Sequence, residues 1–282
     1  MKILSASNNA PIGVFDSGVG GLTVIRALEK AMPQESFIYF GDTAHVPYGH
    51  REPEEIKNFA LQIGQYLEKQ GCKMLLIACN TSTALAYDML CQALTIPVVG
   101  VIEPAVDKVC EANGSESKRA QTAVSDGEPV GVIATQAAVN SGVFQKMFTA
   151  KSPHRPVYLM ACPAFVPLVE AGITEGPQVE AAVKEYLTSL KEEGIRTLIM
   201  GCTHYPFLAA AFRRFLGPEV ELLDPATETV RRGGDILASM GLLASQQKPV
   251  RRFVSSGDAE QFRKGASLFL DDPIDYVEQV IL

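Results

Sequence analysis

No two of the six cysteines, at positions 72, 79, 91, 110, 162 and 202, are spaced as C-x-x-C. A chain of 282 residues buries a core without covalent staples, so these thiols do not read as a disulfide framework. The four histidines (45, 50, 154, 204) contain no H-x-x-x-H pair, and a zinc site finds no support. No metal is expected. No run of 18 apolar residues exists, which argues against a membrane span. The start, MKILSASNNAPIGVF, lacks the apolar stretch of a signal peptide. Basic charge is also short: 25 Lys and Arg stand against 32 Asp and Glu, a net −7. Such a balance carries no global footprint for DNA or RNA. Neither a G-K-[ST] phosphate loop nor a G-x-G-x-x-G fingerprint is present. The expectation is a reduced, cytoplasmic protein.

Apolar residues make up 47% of the chain and charged residues 20%, an ordinary globular composition. Short β-rich runs begin at Ile12, Phe37, Met74, Val98, Val130, Val157, Thr197, Val220 and Arg252. Most end in small or polar residues, and helical patterns lie between them. Apolar runs buried on both faces and alternating with helices point to parallel sheets. Pro53 opens one helical segment, which closes at Gly71; Pro177 opens another, which closes at Gly194.

The pattern repeats. Gly71 precedes Cys79 by eight residues, and Gly194 precedes Cys202 by the same eight. Pro11-Ile12-Gly13-Val14-Phe15 resembles Pro129-Val130-Gly131-Val132-Ile133. Val46-Pro47 matches Val166-Pro167. Three ordered matches predict two similar, pseudo-symmetric α/β domains with mostly parallel sheets and a shared cleft. The stretch 111–128 has no apolar period and reads as a surface loop.

Ligands of α/β sheets bind at strand C-terminal ends. Cys79, followed by Asn80-Thr81, and Cys202, followed by Thr203-His204, both fall there. Aligned N–H groups of a following helix stabilise a thiolate. Two such thiols suit a two-base reaction, in which one removes a proton and the other returns one from the opposite face. A cysteine after four apolar residues is also an ordinary core residue. Asp16 ends a strand before Ser17-Gly18-Val19-Gly20-Gly21, a stretch that permits close backbone approach to a ligand; a helix cap is its commoner role. Gly41 to Gly49 reads as a turn-rich loop. Glu170 reads by default as a surface acid, and His204 as a donor beside a substrate or a structural histidine.

Together these residues resemble the glutamate racemases of the cofactor-independent aspartate/glutamate racemase superfamily. The resemblance rests on FDSGVGGLTV (15–24), GDTAHVPYG (41–49), ACNTSTA (78–84), CPAFVPLVE (162–170) and GCTHYP (201–206). It implies two α/β domains with the site at their interface, and the C-terminal part of the chain returning to the first. The expected division is 1–101 plus 216–282 against 102–215. The resemblance makes Cys79 and Cys202 the paired proton acceptor and donor, with Cys79 acting on the D-enantiomer and Cys202 on the L-enantiomer. Asp16, Glu170 and His204 would assist the thiols. Asp16, Ser17, Tyr48, Gly49, Asn80, Thr81, Thr135, Thr203 and His204 would line the substrate site. The family often carries a second threonine where this chain has Ala138.

The implied activity interconverts L- and D-glutamate without a cofactor and supplies D-glutamate for peptidoglycan synthesis. The implied partner is glutamate. A cell-wall precursor as activator and a homodimer stay open, and neither a membrane nor a nucleic acid is expected. A racemase for aspartate or another small acid, a thiol redox sensor and a retired enzyme scaffold are the alternatives.

Overall fold

In the computed structural model, residues 7–111, 127–245, 248–270 and 272–282 are described; the loop expected over 111–128 lies, apart from its ends, outside them. The chain divides into two compact units, Met1–Val101 with Ala226–Leu282, and Ile102–Pro225.

The first unit opens with β1 (Ile12–Asp16), α1 (Leu22–Ala31), β2 (Phe37–Gly41), a 3-10 turn (Tyr48–His50), α2 (Pro53–Lys69), β3 (Met74–Ile77), α3 (Asn80–Ala93) and β4 (Val98–Gly100). The second holds α4 (Ile102–Glu111), β5 (Val130–Ala134), α5 (Gln136–Asn140), α6 (Val143–Lys151), β6 (Val157–Ala161), α7 (Phe165–Glu170), α8 (Pro177–Glu192), β7 (Thr197–Gly201), a 3-10 turn (Tyr205–Leu208), α9 (Ala209–Leu216) and β8 (Glu221–Leu223). The chain then returns through α10 (Pro225–Ser239), β9 (Arg251–Ser255), α11 (Ala259–Ala266) and β10 (Glu278–Gln279). The expected boundary at 215 moves to Pro225, because β8 hydrogen-bonds to β7 and keeps 216–225 with the second unit.

The sheet of the first unit runs β10-β9-β2-β1-β3-β4, and that of the second β6-β5-β7-β8. The shared core order, second-first-third-fourth, is the internal repeat seen in three dimensions. The pairs described in both sheets are parallel. Both sheets therefore reverse their winding beside the first strand of the repeat, the switch point where α/β folds open a crevice.

Local chemistry explains the elements. The residues of β1, β2 and β3 are buried throughout, as apolar runs covered on both faces must be. Phe15, Leu75 and Ile77 pack with Leu67 of α2 and Leu90 of α3. Burial of each such side chain stabilises by about 1.5–3 kcal/mol. Pro53 and Pro177 sit in the first turns of α2 and α8. Gly71 and Gly194 close them at φ 82° and 67°, a backbone that favours glycine. Gly13 and Gly131 are a further matched pair. A Cβ at Gly13 would lie 3.2 Å from Leu67, and one at Gly131 would lie 2.8 Å from Ile195. Each glycine thus lets the covering layer approach its strand.

Candidate active site

In the first unit the candidate residues converge at the C-terminal ends of β1 and β3. Cys79 is the N-cap of α3, and its Sγ accepts the backbone N–H of Ser82 at 3.4 Å. Ser17 lies beside it, with Sγ to Oγ at 3.8 Å. Tyr48 packs against Cys79 with Ile56 behind. Burial, and next the negative charge of Asp16, push the Cys79 thiol up to about 11; hydrogen bonds from Ser82 and Ser17 pull the other way. Asn80 and Thr81 follow in the first turn of α3, both buried. The Asn80 Oδ1 is buried and meets no hydrogen-bond partner among the described residues. An acceptor in that position is costly unless something donates to it.

Asp16 is not the cap of α1, whose N-cap is Gly21. Its carboxylate instead accepts the Gly18 N–H at 3.0 Å and closes a tight turn. The glycines there serve internal packing first. A Cβ on Gly21 would stand 2.5 Å from the Asp16 Cβ, whereas one on Gly18 would meet only Val46 at 3.6 Å.

The loop after β2 is more than a turn. Asp42, buried at its start, accepts hydrogen bonds from the Tyr48 hydroxyl and, at 2.6 Å, from Ser256 Oγ, and it lies 2.8 Å from His45 Nδ1. Burial and the adjacent Asp42 charge hold the Tyr48 phenol in its neutral form, far above its ordinary range. Tyr48 is thereby fixed beside Cys79. The motif reading gave no role to Asp42 or Ser256. Their only signal is that GDT and SSG each follow a strand, and the pairing of β9 with β2 brings the two strand ends together.

In the second unit the residues gather at the ends of β5 and β7. Cys202 Sγ lies 3.8 Å from His204 Nδ1, and His204 Nε2 lies 3.4 Å from a carboxylate oxygen of Glu170. Glu170 therefore faces the buried imidazole and is not merely a surface acid. Thr203 Oγ1 is 3.5 Å from the same Nδ1. Thr135 caps α5 by accepting the Ala138 N–H at 3.3 Å. Ala138 is buried, so the place of the family's second threonine holds only a methyl group. Unlike Cys79, Cys202 does not cap a helix, because the 3-10 turn at Tyr205–Leu208 intervenes before α9. Tyr205, buried, donates to the carbonyls of Ala134 and Cys162 at 3.1 and 3.0 Å and ties these strand ends together. Cys162 is buried, and desolvation raises its thiol strongly.

The family model described as Asp/Glu/Hydantoin racemase matches residues 12–233. The chain belongs to this family. Its relatives include glutamate racemase of Corynebacterium diphtheriae, 42% identical over 96% of this chain and 98% of that one. Among solved structures, glutamate racemase isoform RacE1 from Bacillus anthracis aligns with a TM-score of 0.89 at 35% identity, covering 98% of both chains. Glutamate racemase from Francisella tularensis in complex with D-glutamate aligns at 0.87 and 36%, covering 97% of this chain and 98% of that chain. Racemases of this family thus share the whole two-unit chain and not one motif. No helix among the described residues of this family member is long and apolar enough to cross a membrane.

Proposed function

We propose that the protein racemises glutamate, with Cys79 and Cys202 as the two bases. The observation that carries the reading is the matched placement of two buried thiols one repeat apart. Each lies past the end of the third strand of its core, Cys79 beside Asp16 and Ser17 and Cys202 beside His204 and Glu170. The racemases of C. diphtheriae and F. tularensis supply the substrate by similarity.

The Cys79 thiolate removes the α-proton of D-glutamate. The electron pair of the broken C–H bond stays on the α-carbon, and the Cys202 thiol protonates the opposite face. Cys79 ends as the thiol and Cys202 as the thiolate, so the L-enantiomer runs the same path backwards. Asp16 and Ser17 hold the Cys79 side, and His204, oriented by Glu170, assists Cys202. Tyr48, Gly49, Asn80, Thr81, Thr135 and Thr203 fix the substrate. The Asn80 Oδ1 suits a donor such as the substrate ammonium. The α-proton is a very weak acid, so preorganised donors must stabilise the developing charge. Two thiols that must stay reduced to act as bases support a cytoplasmic location.

Incubation with each enantiomer in D₂O tests the reading. Deuterium at the α-carbon of glutamate, with conversion to the other enantiomer, is the expected result. No exchange with glutamate overturns it.

A further inference from the structure

We propose that Tyr39 is a positioning residue whose buried hydroxyl locks the Asp16–Gly21 turn and so sets Asp16 and Ser17 against Cys79. The proposal rests on the racemase reading for its kinetic consequence and on geometry for its cause.

Tyr39 lies in the middle of β2, fully buried, paired in register with Val14 on one side and Phe253 on the other. Its ring is held by Phe253 and Phe262, with centroids at 6.4 and 6.0 Å. Its hydroxyl donates to the Gly18 carbonyl at 2.8 Å. The space is closed, since a Cβ on Gly21 would sit 2.9 Å from this hydroxyl. One side chain thus grips the turn at Gly18 and packs against it at Gly21. Within that turn the Asp16 carboxylate takes the Gly18 N–H, and Ser17 reaches the Cys79 sulfur. The hydroxyl, Gly18, Asp16, Ser17 and Cys79 form one connected path inside the first unit.

A structural tyrosine needs a partner for its hydroxyl when buried. Here the partner, the Gly18 carbonyl, belongs to the turn that carries two candidate site residues, which gives the hydroxyl a consequence beyond packing. The titratable groups that bear on the Cys79 thiol are Asp16 from β1, Tyr39 from β2 and Tyr48 from the 3-10 turn. Desolvation and Asp16 are what raise that thiol. Release of the turn admits water and loosens Asp16, so the thiol should ionise at lower pH.

The test is Tyr39→Phe, which keeps the ring and deletes only the oxygen. Two readouts are taken on the folded protein: the pH midpoint of iodoacetamide alkylation at Cys79, followed by mass spectrometry, and kcat for glutamate in both directions. The expected result is a midpoint at least half a pH unit lower, with kcat down about tenfold, the scale of a sub-ångström misplacement. An unmoved midpoint overturns the proposal whether or not kcat falls, since loss of rate alone would mark a packing residue. If the unaltered protein does not racemise glutamate, the functional reading fails and the alkylation midpoint still decides the role of Tyr39. If Y39F does not fold, hydrogen exchange at the Gly18 amide of the unaltered protein, which donates to Asp16 inside the turn, decides. Exchange as slow as the amides of β1 upholds the lock, and exchange at the rate of an open loop overturns it.

Discussion

The Sγ of Cys79 accepts the backbone N–H of Ser82 at 3.4 Å, so the candidate base is also the cap of its own helix. Cysteine is not among the usual capping residues, which are short oxygen side chains. Serine at this position would cap at least as well and would be a far poorer proton acceptor at neutral pH. Cys79→Ser should therefore retain the fold and lose racemisation by about 10²–10⁴-fold. Cys202→Ser should lose a similar factor. Thermal unfolding checks the first part, and α-deuterium incorporation in D₂O checks the second. Turnover within twofold of the unaltered protein in either variant refutes a two-base scheme.

The Cys79 thiol also makes a prediction about pH. Burial and Asp16 raise it to about 11, so in the substrate-free protein it is protonated at pH 7. Because the thiolate is the nucleophile, alkylation of Cys79 should climb about tenfold per pH unit above neutrality and level off near 11. Asp16→Asn removes the nearby charge and should move that midpoint down. Quantifying the alkylated Cys79 peptide between pH 6 and about 11 measures both. A midpoint at the ordinary value for cysteine would show that neither burial nor Asp16 acts on this sulfur.

Glu170 is placed to act through His204. Glu170→Gln keeps the shape but removes the charge 3.4 Å from Nε2, and His204→Asn removes the imidazole beside Cys202. The second should cost about 10²–10³ in kcat, in the range of a lost acid–base group. The first should cost about tenfold. The two enantiomers have equal free energy, so kcat/KM must stay equal in the two directions for any variant. Side assignment has to come from kcat and KM taken separately. Additive losses in the E170Q/H204N double variant would show that the carboxylate does not work through the imidazole.

Much of this was legible in the chain. Among the described residues most strands, β1, β3 and β5 for example, are apolar or β-branched runs, and Pro53, Gly71, Pro177 and Gly194 mark two helices by backbone chemistry alone. Strand β10 is only Glu278–Gln279 and has no apolar pattern to betray it. The two cysteines were legible because they recur at one spacing past matched strands. Tyr39, Asp42 and Tyr205 were not, because each works across strands. The role of Tyr39 depends on β2 lying beside β1, and that of Asp42 on β9 lying beside β2. Neighbours of that kind are set by topology and leave no local spacing.

Glycine at position 21 carries a steric prediction. Gly21→Ala forces a methyl group to within 2.5 Å of the Asp16 Cβ and 2.9 Å of Ala78. Overpacking of this kind costs about 1–3 kcal/mol. The strain falls on the turn that presents Asp16 and Ser17, so activity should fall further than the unfolding free energy implies. Urea unfolding and steady-state kinetics on the same preparation separate the two effects. A variant destabilised but fully active would show that this turn is not part of the site.

Away from the candidate site, Lys73 and Glu35 form a buried ion pair at 2.6 Å, with side chains 0% and 2% exposed. The Lys73 ammonium also donates to the carbonyls of Asn8 and Leu242, and Glu35 accepts the Ala244 N–H. One pair thus fastens the start of β3, the approach to β2, the N-terminal segment and the chain after α10. Lys73→Met strands a buried carboxylate and should cost about 3–5 kcal/mol. Replacing both partners, as in K73M/E35L, removes the unpaired charge and should recover much of that loss, because well-packed apolar substitutes for a buried pair are often neutral. Urea unfolding of both single variants and the double variant gives the coupling. A double variant as unstable as the sum of the singles would mean that the carbonyl and amide contacts, and not the ion pair, hold these four segments together.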